Sequence, residues 1–284
     1  MRSRRVLLAL AGTLLALTAL PAASAGAATT YSTKAPFALW EVNMDEVVSM
    51  DGIEMGLLVK SFSPGMNIVR YLDRAQSIGK KVVVHFNDVI QNGTVYPSRI
   101  KPWTDKVKSH PALWGYLSVK EPSWVGVSLS EMRTLYRAFR SADPGHRVIA
   151  LLGDTPHFGT SQNPWGTGVA NMLWVDWYPV SCSRGYIANA SLHFPKIRSY
   201  VDRVTPGTQI WLMVQAHTYY EGDKCRPSGT QLDRQVRDGF TYLKANGILF
   251  HSWYGPGYDR DLRRDATLFS QARWIVRAVR AGTF

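Results

Sequence analysis

The residues best suited to chemistry in this sequence are two carboxylates, Glu121 and Asp176, each placed at the end of an apolar run. The run before Glu121, residues 113–119, has the pattern of a buried strand, and Pro122 must end it because proline cannot donate a ladder hydrogen bond. Two carboxyl groups can cleave a glycosidic bond when one protonates the leaving oxygen and the other acts as nucleophile or as base for water. The pair therefore predicts acid/base hydrolysis.

We assign the two roles by local surroundings. Desolvation at the end of a buried strand favours the protonated form that a general acid needs, which suits Glu121. Lys120 would oppose this effect if it points the same way, or it could orient a substrate oxygen or pair with another acid. Asp176 is the predicted second carboxylate, with Asp154 and Glu41 as alternatives. An ordinary ion pair or a loop cap explains any one of these acids equally well.

Eight strand-like runs, mostly separated by helical patterns, predict parallel βαβ units closed into a single (β/α)8 TIM barrel of the α/β class. The predicted strands are residues 37–42, 56–62, 81–86, 113–119, 147–152, 171–175, 209–214 and 248–250. Helical spacing is found in residues 66–78, 104–110 and 266–281 and after the N-caps Ser128 and Thr230. We expect the barrel domain to span residues 36–284, about the length that this fold needs.

In such a barrel the loops that follow the strands meet at one face, where active sites lie. Predicted substrate-binding residues at that face are Glu41, His85, Asn87, Lys120, Asp154, Tyr178, Gln215, His217, His251 and Trp253. Aromatic rings suit the apolar faces of sugars, and Trp177 and Trp253 are the candidate platforms. Ordinary packing is the competing explanation for both rings.

Four segments resemble known families. The run GYLSVKEP resembles the strand-four segment of (β/α)8 glycoside hydrolases, in which Asn-Glu-Pro or Asp-Glu-Pro carries the acid/base Glu. The run DWYP at residues 176–179 resembles strand six of secreted glycosidase-like barrels, and WLMVQAH and GILFHSWYG resemble their strands seven and eight. The resemblance covers residues 37 to about 280. It implies a glycoside hydrolase that acts on a polysaccharide or oligosaccharide without a cofactor, with Glu121 as the acid/base.

Two positions depart from the glycosidase pattern. Lys120 stands where Asn or Asp is expected, and Gln215 stands near the place where the retaining clan keeps its nucleophile Glu. Glutamine cannot be a carboxylate nucleophile, so Asp176 or another acid must take the second role if the protein is catalytic. Otherwise the chain is a non-catalytic barrel that binds carbohydrate or cell wall.

Other hydrolase classes have less support. His85, His217 and His251 follow strands three, seven and eight and could hold a metal ion, but the sequence lacks tight ligand spacing. These histidines could instead hydrogen-bond to sugar. A Ser/His/Asp hydrolase is not supported because no Gly-x-Ser-x-Gly elbow is present. We expect neither a metal nor another cofactor.

The first 25 residues have the pattern of a secretory signal peptide. Arg2, Arg4 and Arg5 precede an apolar run over residues 6–20, and a small-residue cleavage pattern ends at Ala25. Twin-arginine export and an uncleaved anchor are the alternatives. We predict a secreted, extracellular protein without a membrane segment in its mature form, with a flexible leader over residues 26–35.

The net charge of the sequence indicates the kind of partner. Loss of the signal removes three arginines and lowers the formal charge from +12 to +9. A basic extracellular protein favours anionic polysaccharides, although the charge could serve solubility alone. No nucleic-acid motif is present, and we expect a monomer.

Cys182 and Cys225 are predicted to form a disulfide because export brings them into an oxidising compartment.

Overall fold

The computed structural model describes residues 32–153, 157–218, 223–254 and 261–284. Eight parallel strands form a closed barrel. They are β1 (Phe37–Trp40), β2 (Leu57–Phe62), β3 (Lys81–Phe86), β4 (Leu113–Lys120), β5 (Arg147–Gly153), β6 (Met172–Trp177), β7 (Gln209–Gln215) and β8 (Gly247–His251). The first and last strands pair in parallel, with Phe37 opposite Ile248. The predicted (β/α)8 barrel is confirmed, while the predicted signal peptide, Asp154 and residues 26–31 of the leader lie outside the described residues.

Helices pack around the outside of the barrel. They are α1 (Ile68–Ser77), α2 (Ile100–Val107), α3 (Leu129–Ala142), α4 (Ala190–Val204), α5 (Gly229–Asp238) and α6 (Ala266–Ala281), with a π-helical turn (Gly239–Leu243) after α5 and a four-residue helix (Pro122–Val125) after β4. The β1–β2 connection contains only a short 3-10 turn (Val47–Met50). None of the helices in the described ranges has the length and apolarity that crossing a membrane requires.

Side-chain caps mark the starts of α1, α3, α5 and α6, whereas α2 and α4 begin without one. Ser128 caps α3 as predicted, because its Oγ accepts from the Glu131 N–H while Glu131 accepts from the Ser128 N–H at 2.8 Å. The prediction that Thr230 caps the next helix is wrong. Ser228 caps α5 instead, since Gln231 stands three residues after it and completes a reciprocal capping box.

Two apolar cores result from strands that are buried on both faces. The inner core fills the barrel with Ala38, Trp40, Leu57, Val59, Val83, Leu117, Ile149, Leu151, Met172, Trp174, Trp211, Met213 and Leu249. Trp174 and Trp211 lie in its N-terminal half, with their ring centres 5.9 Å apart. The outer core joins the strands to the helices through residues such as Phe86, Phe139 and Phe194. Because apolar side chains fill the interior of the barrel, we look for polar groups at its C-terminal mouth.

Candidate functional site

A layer of polar side chains covers the inner core at the C-terminal ends of the strands. Side chains alternate along a strand, so a residue two positions after an inner-core residue points to the same side. The residues in this position on β2, β3, β6 and β8 are Ser61, His85, Asp176 and His251. Lys120 joins them from β4, because a register shift between Leu117 and Val119 pairs it with the inner-core residue Leu151. We call these five residues the polar layer.

Glu121 directly follows the polar layer and is held in a strained backbone conformation. Its φ is +48°, in the left-handed region that costs a non-glycine residue roughly 1–3 kcal/mol. Its N–H donates to the carbonyl of Leu151 at 2.8 Å, which fixes its place at the end of β4. The side chain is half-buried, and its carboxylate forms no hydrogen bond or ion pair with any residue in the described ranges. The group is therefore open to a ligand.

A cavity of about 280 Å³ brings Glu121 and Asp176 together. Its lining residues are Glu121, Ser123, Trp124, Gly153, Asp176, Trp177, Tyr178, Pro179, Ile187, Asn189 and Lys224. Asp176 is buried and belongs to β6 itself, although the sequence predicted it just beyond the strand end. The main-chain pairing of Gly153 with Asp176 places the ends of β5 and β6 side by side at this cavity. The cavity thus holds two carboxylates from strands four and six.

Three aromatic side chains pack against one another beside the cavity. The ring centres of Tyr178 and His217 lie 5.2 Å apart, and those of His217 and His251 lie 4.8 Å apart. His217 Nδ1 lies 2.8 Å from the carbonyl oxygen of His251. Burial lowers the pKa of His217 to about 4. Burial, followed by the charges of His217 and Lys120, lowers the pKa of His251 well below its usual value. Both rings are neutral near pH 7.

His85 and Lys120 form the other side of the polar layer. Burial first, and then the charge of Lys120, lowers the pKa of His85 to about 3. The Nδ1 atom of His85 is buried without a hydrogen-bond partner among the described residues. The ammonium nitrogen of Lys120 lies 5.2 Å from the centre of the Trp40 ring. The neutral imidazoles of His85 and His251 therefore lie near the positive charge of Lys120.

Glu41 directly follows β1 and has hydrogen-bond partners on β2. Its carboxylate accepts hydrogen bonds from Lys60 Nζ at 2.9 Å and from the hydroxyl and N–H of Ser61 at 2.5 and 3.3 Å. The ion pair is mostly buried, with side-chain exposures of 11% for Lys60 and 16% for Glu41. Neither Lys60 nor Ser61 was predicted as a site residue, although both polar residues interrupt the apolar run of β2.

Gln215 anchors β7 to the loop that follows β6. Its Oε1 accepts from the N–H of Val180 at 2.9 Å, and its Nε2 donates to the carbonyls of Val180 at 3.1 Å and Cys225 at 2.7 Å. Both amide protons are used by the main chain, and the side chain is completely buried. Substrate binding by Gln215 stays a prediction, and its observed bonds are to the protein itself.

The predicted disulfide between Cys182 and Cys225 is present. It ties the loop after β6 to the loop after β7 and thereby positions the neighbouring residue Lys224. The Nζ of Lys224 donates to the carbonyl of Tyr178 at 3.0 Å and lines the cavity. Lys224 was not predicted, and its sequence position next to the disulfide was the only signal for it.

Of the remaining predicted residues, Asn87 and Trp253 do not line the cavity, whereas Trp177 does. Asn87 donates to Ser63 at 3.0 Å, and Trp253 is buried with its indole N–H donating to Glu46 at 3.1 Å. The Trp177 side chain is only 3% exposed and packs on Phe194. Their roles in sugar binding stay predictions.

Trp124 is the aromatic residue that the structure adds at the cavity. It is 81% exposed and lies on the short helix after Glu121. Trp177 and Trp253 are the platforms predicted from the sequence, but both are buried, because the exposure of a ring depends on the path of its loop. Within the described part of the chain, no three His, Cys, Asp or Glu side chains are grouped as metal ligands would be.

No protein-family model and no curated protein sequence matches this chain. Solved structures do match it. A GH99 endo-α-mannosidase from Bacteroides thetaiotaomicron has a TM-score of 0.61 at 14% identity, over 85% of this chain and 80% of that one. A β-1,4-D-mannanase from Cryptopygus antarcticus has a TM-score of 0.57 at 12% identity, over 86% of this chain and 89% of that one.

A β-galactosidase from Marinomonas ef1 has a TM-score of 0.60 at 10% identity, over 86% of this chain. This chain spans 59% of that galactosidase, less than two thirds of its length. Identities this low show the fold alone. The chain thus shares its (β/α)8 barrel with glycoside hydrolases, and the resemblance inferred from the sequence motifs is confirmed at the level of the fold.

Proposed function

We propose that this protein is a glycoside hydrolase that cleaves a polysaccharide by carboxylate acid/base catalysis. The observation that carries the proposal is the shared cavity of Glu121 and Asp176 at the C-terminal mouth of the barrel. Active sites of (β/α)8 enzymes lie at this mouth. The open carboxylate of Glu121 and its left-handed backbone support a functional role, since strained residues cluster at active sites.

In the proposed reaction Glu121 donates its proton to the glycosidic oxygen as the bond from that oxygen to the anomeric carbon breaks. Asp176 supplies the second carboxylate. It either attacks the anomeric carbon, and water then hydrolyses the glycosyl-enzyme bond, or it takes a proton from the water that attacks directly. In the first course Glu121 takes a proton back from the water that hydrolyses the intermediate. In the second course it takes a proton from solvent, and Asp176 releases to solvent the proton that it took from water.

Side chains around the carboxylates suit a sugar ligand. Trp124 offers an exposed indole face at the cavity, and Tyr178 offers a phenol ring with a polar end. The neutral imidazoles of His217 and His251 lie beside Tyr178 and can donate or accept hydrogen bonds without adding charge. With the predicted signal peptide, these features favour a secreted enzyme that acts on extracellular polysaccharide.

The second candidate function is a non-catalytic carbohydrate-binding barrel. It is favoured by Gln215, because an amide stands near the place of the strand-seven nucleophile and is used as a main-chain anchor. In this case the same aromatic and polar groups would hold a glycan without cleaving it.

Release of reducing ends from a panel of neutral and acidic polysaccharides separates the two functions. The wild type is compared with Glu121→Gln and with Lys196→Gln, a control on the exposed face of α4. We expect the wild type and Lys196→Gln to release sugar and Glu121→Gln to release none. If none of the three releases sugar while all bind one polymer, the protein is a carbohydrate-binding barrel. If Glu121→Gln cleaves as fast as the wild type, the assignment of Glu121 is wrong.

A further inference from the structure

Lys120 places a positive charge at the barrel mouth without an acidic partner in the described parts of the chain. Its side chain is half-buried and contacts the Trp40 ring, but it forms no hydrogen bond or ion pair with a described residue. A cation–π contact stabilises the charge yet gives its three N–H donors no acceptor. The Nζ atom of Lys120 is not among the buried polar atoms that lack a partner, so its donors face solvent, and an anionic ligand can supply the acceptor that the protein does not.

The neighbours of Lys120 do not supply this acceptor. The charge of Lys120 lowers the pKa values of His85 and His251, which places both imidazoles within electrostatic range of it. Both are held neutral by burial, so they add no charge of either sign. The carboxylate of Glu41, which also lies at the mouth, is bound to Lys60 and Ser61.

The charges of the site favour an anion as well. Lys224 contributes a second positive charge, which is close enough to His217 to lower the pKa of that imidazole. Glu121 must be protonated, and therefore neutral, at the start of the proposed reaction. In that state Lys224, which lines the cavity, and Lys120, which belongs to the polar layer next to Glu121, stand against the single carboxylate of Asp176.

We propose that Lys120 binds an anionic substituent of the sugar, a uronate carboxylate or a sulfate ester, so that the ligand of this site is an acidic glycan. The inference rests on the proposed function, because it takes the cavity of Glu121 and Asp176 as the sugar site. It also gives a physical reason for Lys120 at a position where related barrels carry Asn or Asp. An ammonium group binds such anions as a compact point charge with three donors.

Binding is measured in the Glu121→Gln background, so that cleavage cannot affect the result. The probes are polygalacturonate, alginate and hyaluronan, each beside its carboxyl-reduced counterpart, and dextran sulfate beside dextran. Lys120→Gln removes the charge, and Lys120→Arg keeps it. Lys196→Gln removes the same charge from the exposed face of α4, which controls for the general attraction of a basic protein to polyanions.

We expect at least one charged polymer to bind about tenfold or more tightly than its neutral counterpart, since a charge-assisted hydrogen bond contributes about that factor. This preference should vanish in Lys120→Gln and persist in Lys120→Arg and Lys196→Gln. Preference for a uronate or for dextran sulfate identifies the substituent. Equal binding of charged and neutral polymers overturns the inference, as does a preference that survives in Lys120→Gln. Release of sugar from a neutral polymer by the wild type would then leave the proposed function standing.

Discussion

Glu41 and Glu121 occupy equivalent places in the barrel, yet their carboxylates have opposite surroundings. Each directly follows a strand, and each has a left-handed φ, +57° and +48° respectively. The Glu41 carboxylate is bound by Lys60 and Ser61, whereas the Glu121 carboxylate has no partner in the described ranges and faces a cavity. Position and backbone strain therefore identify both glutamates as candidate catalytic residues. The hydrogen-bond partners of each side chain then distinguish a structural anchor, Glu41, from an open carboxylate, Glu121.

The largest effect is expected at Asp176, which shares the cavity of Glu121. Asp176→Asn should lower turnover of the polymer that the wild type cleaves by roughly a thousandfold or more, about 4 kcal/mol in activation free energy. The loss should extend to an activated aryl glycoside of the same sugar, because the second carboxylate is needed whatever the leaving group. Full activity of Asp176→Asn would instead show that another acid is the second carboxylate. Glu41 would then be the next candidate for that role.

The second-largest effect is expected in the loops after β6 and β7, which the disulfide joins and which line the cavity of Glu121. Replacing Cys182 and Cys225 with serine should lower the free energy of unfolding by about 2–4 kcal/mol, because the bond closes a loop between residues 43 positions apart. Urea denaturation of the oxidised protein measures the change, and reduced wild type should match the double variant. An unchanged midpoint would show that the hydrogen bonds of Gln215 hold these loops without the disulfide.

The two glutamates should differ in their effect on stability. Glu41→Gln leaves Lys60 without its charged partner and should lower the free energy of unfolding by about 1–3 kcal/mol. Glu121→Gln removes no bond seen among the described residues and should leave thermal stability nearly unchanged. The melting temperatures of the two variants test the contrast directly. Equal losses would remove the distinction between anchor and open group.

The buried histidines predict a loss of stability in mild acid. Below the ordinary histidine pKa of 6.5 the unfolded chain gains protons, while the folded chain keeps His217 neutral down to about pH 4 and His85 down to about pH 3. The free energy of unfolding should therefore fall as pH decreases from 6.5 to 4, by up to about 1.4 kcal/mol per pH unit for each histidine.

Urea denaturation of wild type and His85→Gln at pH 7, 6 and 5 measures this slope. The variant should show a shallower decline because it lacks one of the groups that titrate in the unfolded chain. The same decline in both proteins would mean that the pKa of His85 is the same in the folded and the unfolded chain. Water would then reach His85 in the polar layer despite its burial.

The smallest effect is expected at Trp124. Trp124→Ala should raise the KM for the cleaved polymer about three- to tenfold, since stacking of an aromatic face contributes about 0.5–1.5 kcal/mol. Its melting temperature should stay unchanged because the ring is 81% exposed. Trp274→Ala, on the outer face of α6 at 45% exposure, is the matched control and should leave KM unchanged. If KM changes in Trp274→Ala but not in Trp124→Ala, the sugar does not bind against Trp124.

Most of the barrel could be predicted from the sequence because its strands are buried on both faces and appear as apolar runs. The helix α4 could not, since Pro195 interrupts its pattern and no side-chain cap marks its start. The cap of α5 was visible in the sequence, because Ser228 has Gln231 three residues after it, the capping-box spacing, whereas Thr230 has Asp233 there.

The site was predictable only in part for a similar reason. Glu121 and Asp176 could be found because strand ends meet at one mouth of a barrel. The partners of Glu41 and Gln215 could not, because Lys60, Val180 and Cys225 come from other strands and loops. Which carboxylate is bound and which is open depends on these distant contacts.

The most direct test of the claim that Glu121 supplies a proton is the dependence of Glu121→Ala on the leaving group. The variant is assayed on the polymer that the wild type cleaves and on a dinitrophenyl glycoside of the same sugar, whose leaving group needs no protonation. We expect a loss of about a hundredfold or more on the polymer and little loss of glycosidic bond cleavage on the aryl glycoside. Equal loss on both substrates, or no loss on the polymer, would contradict it.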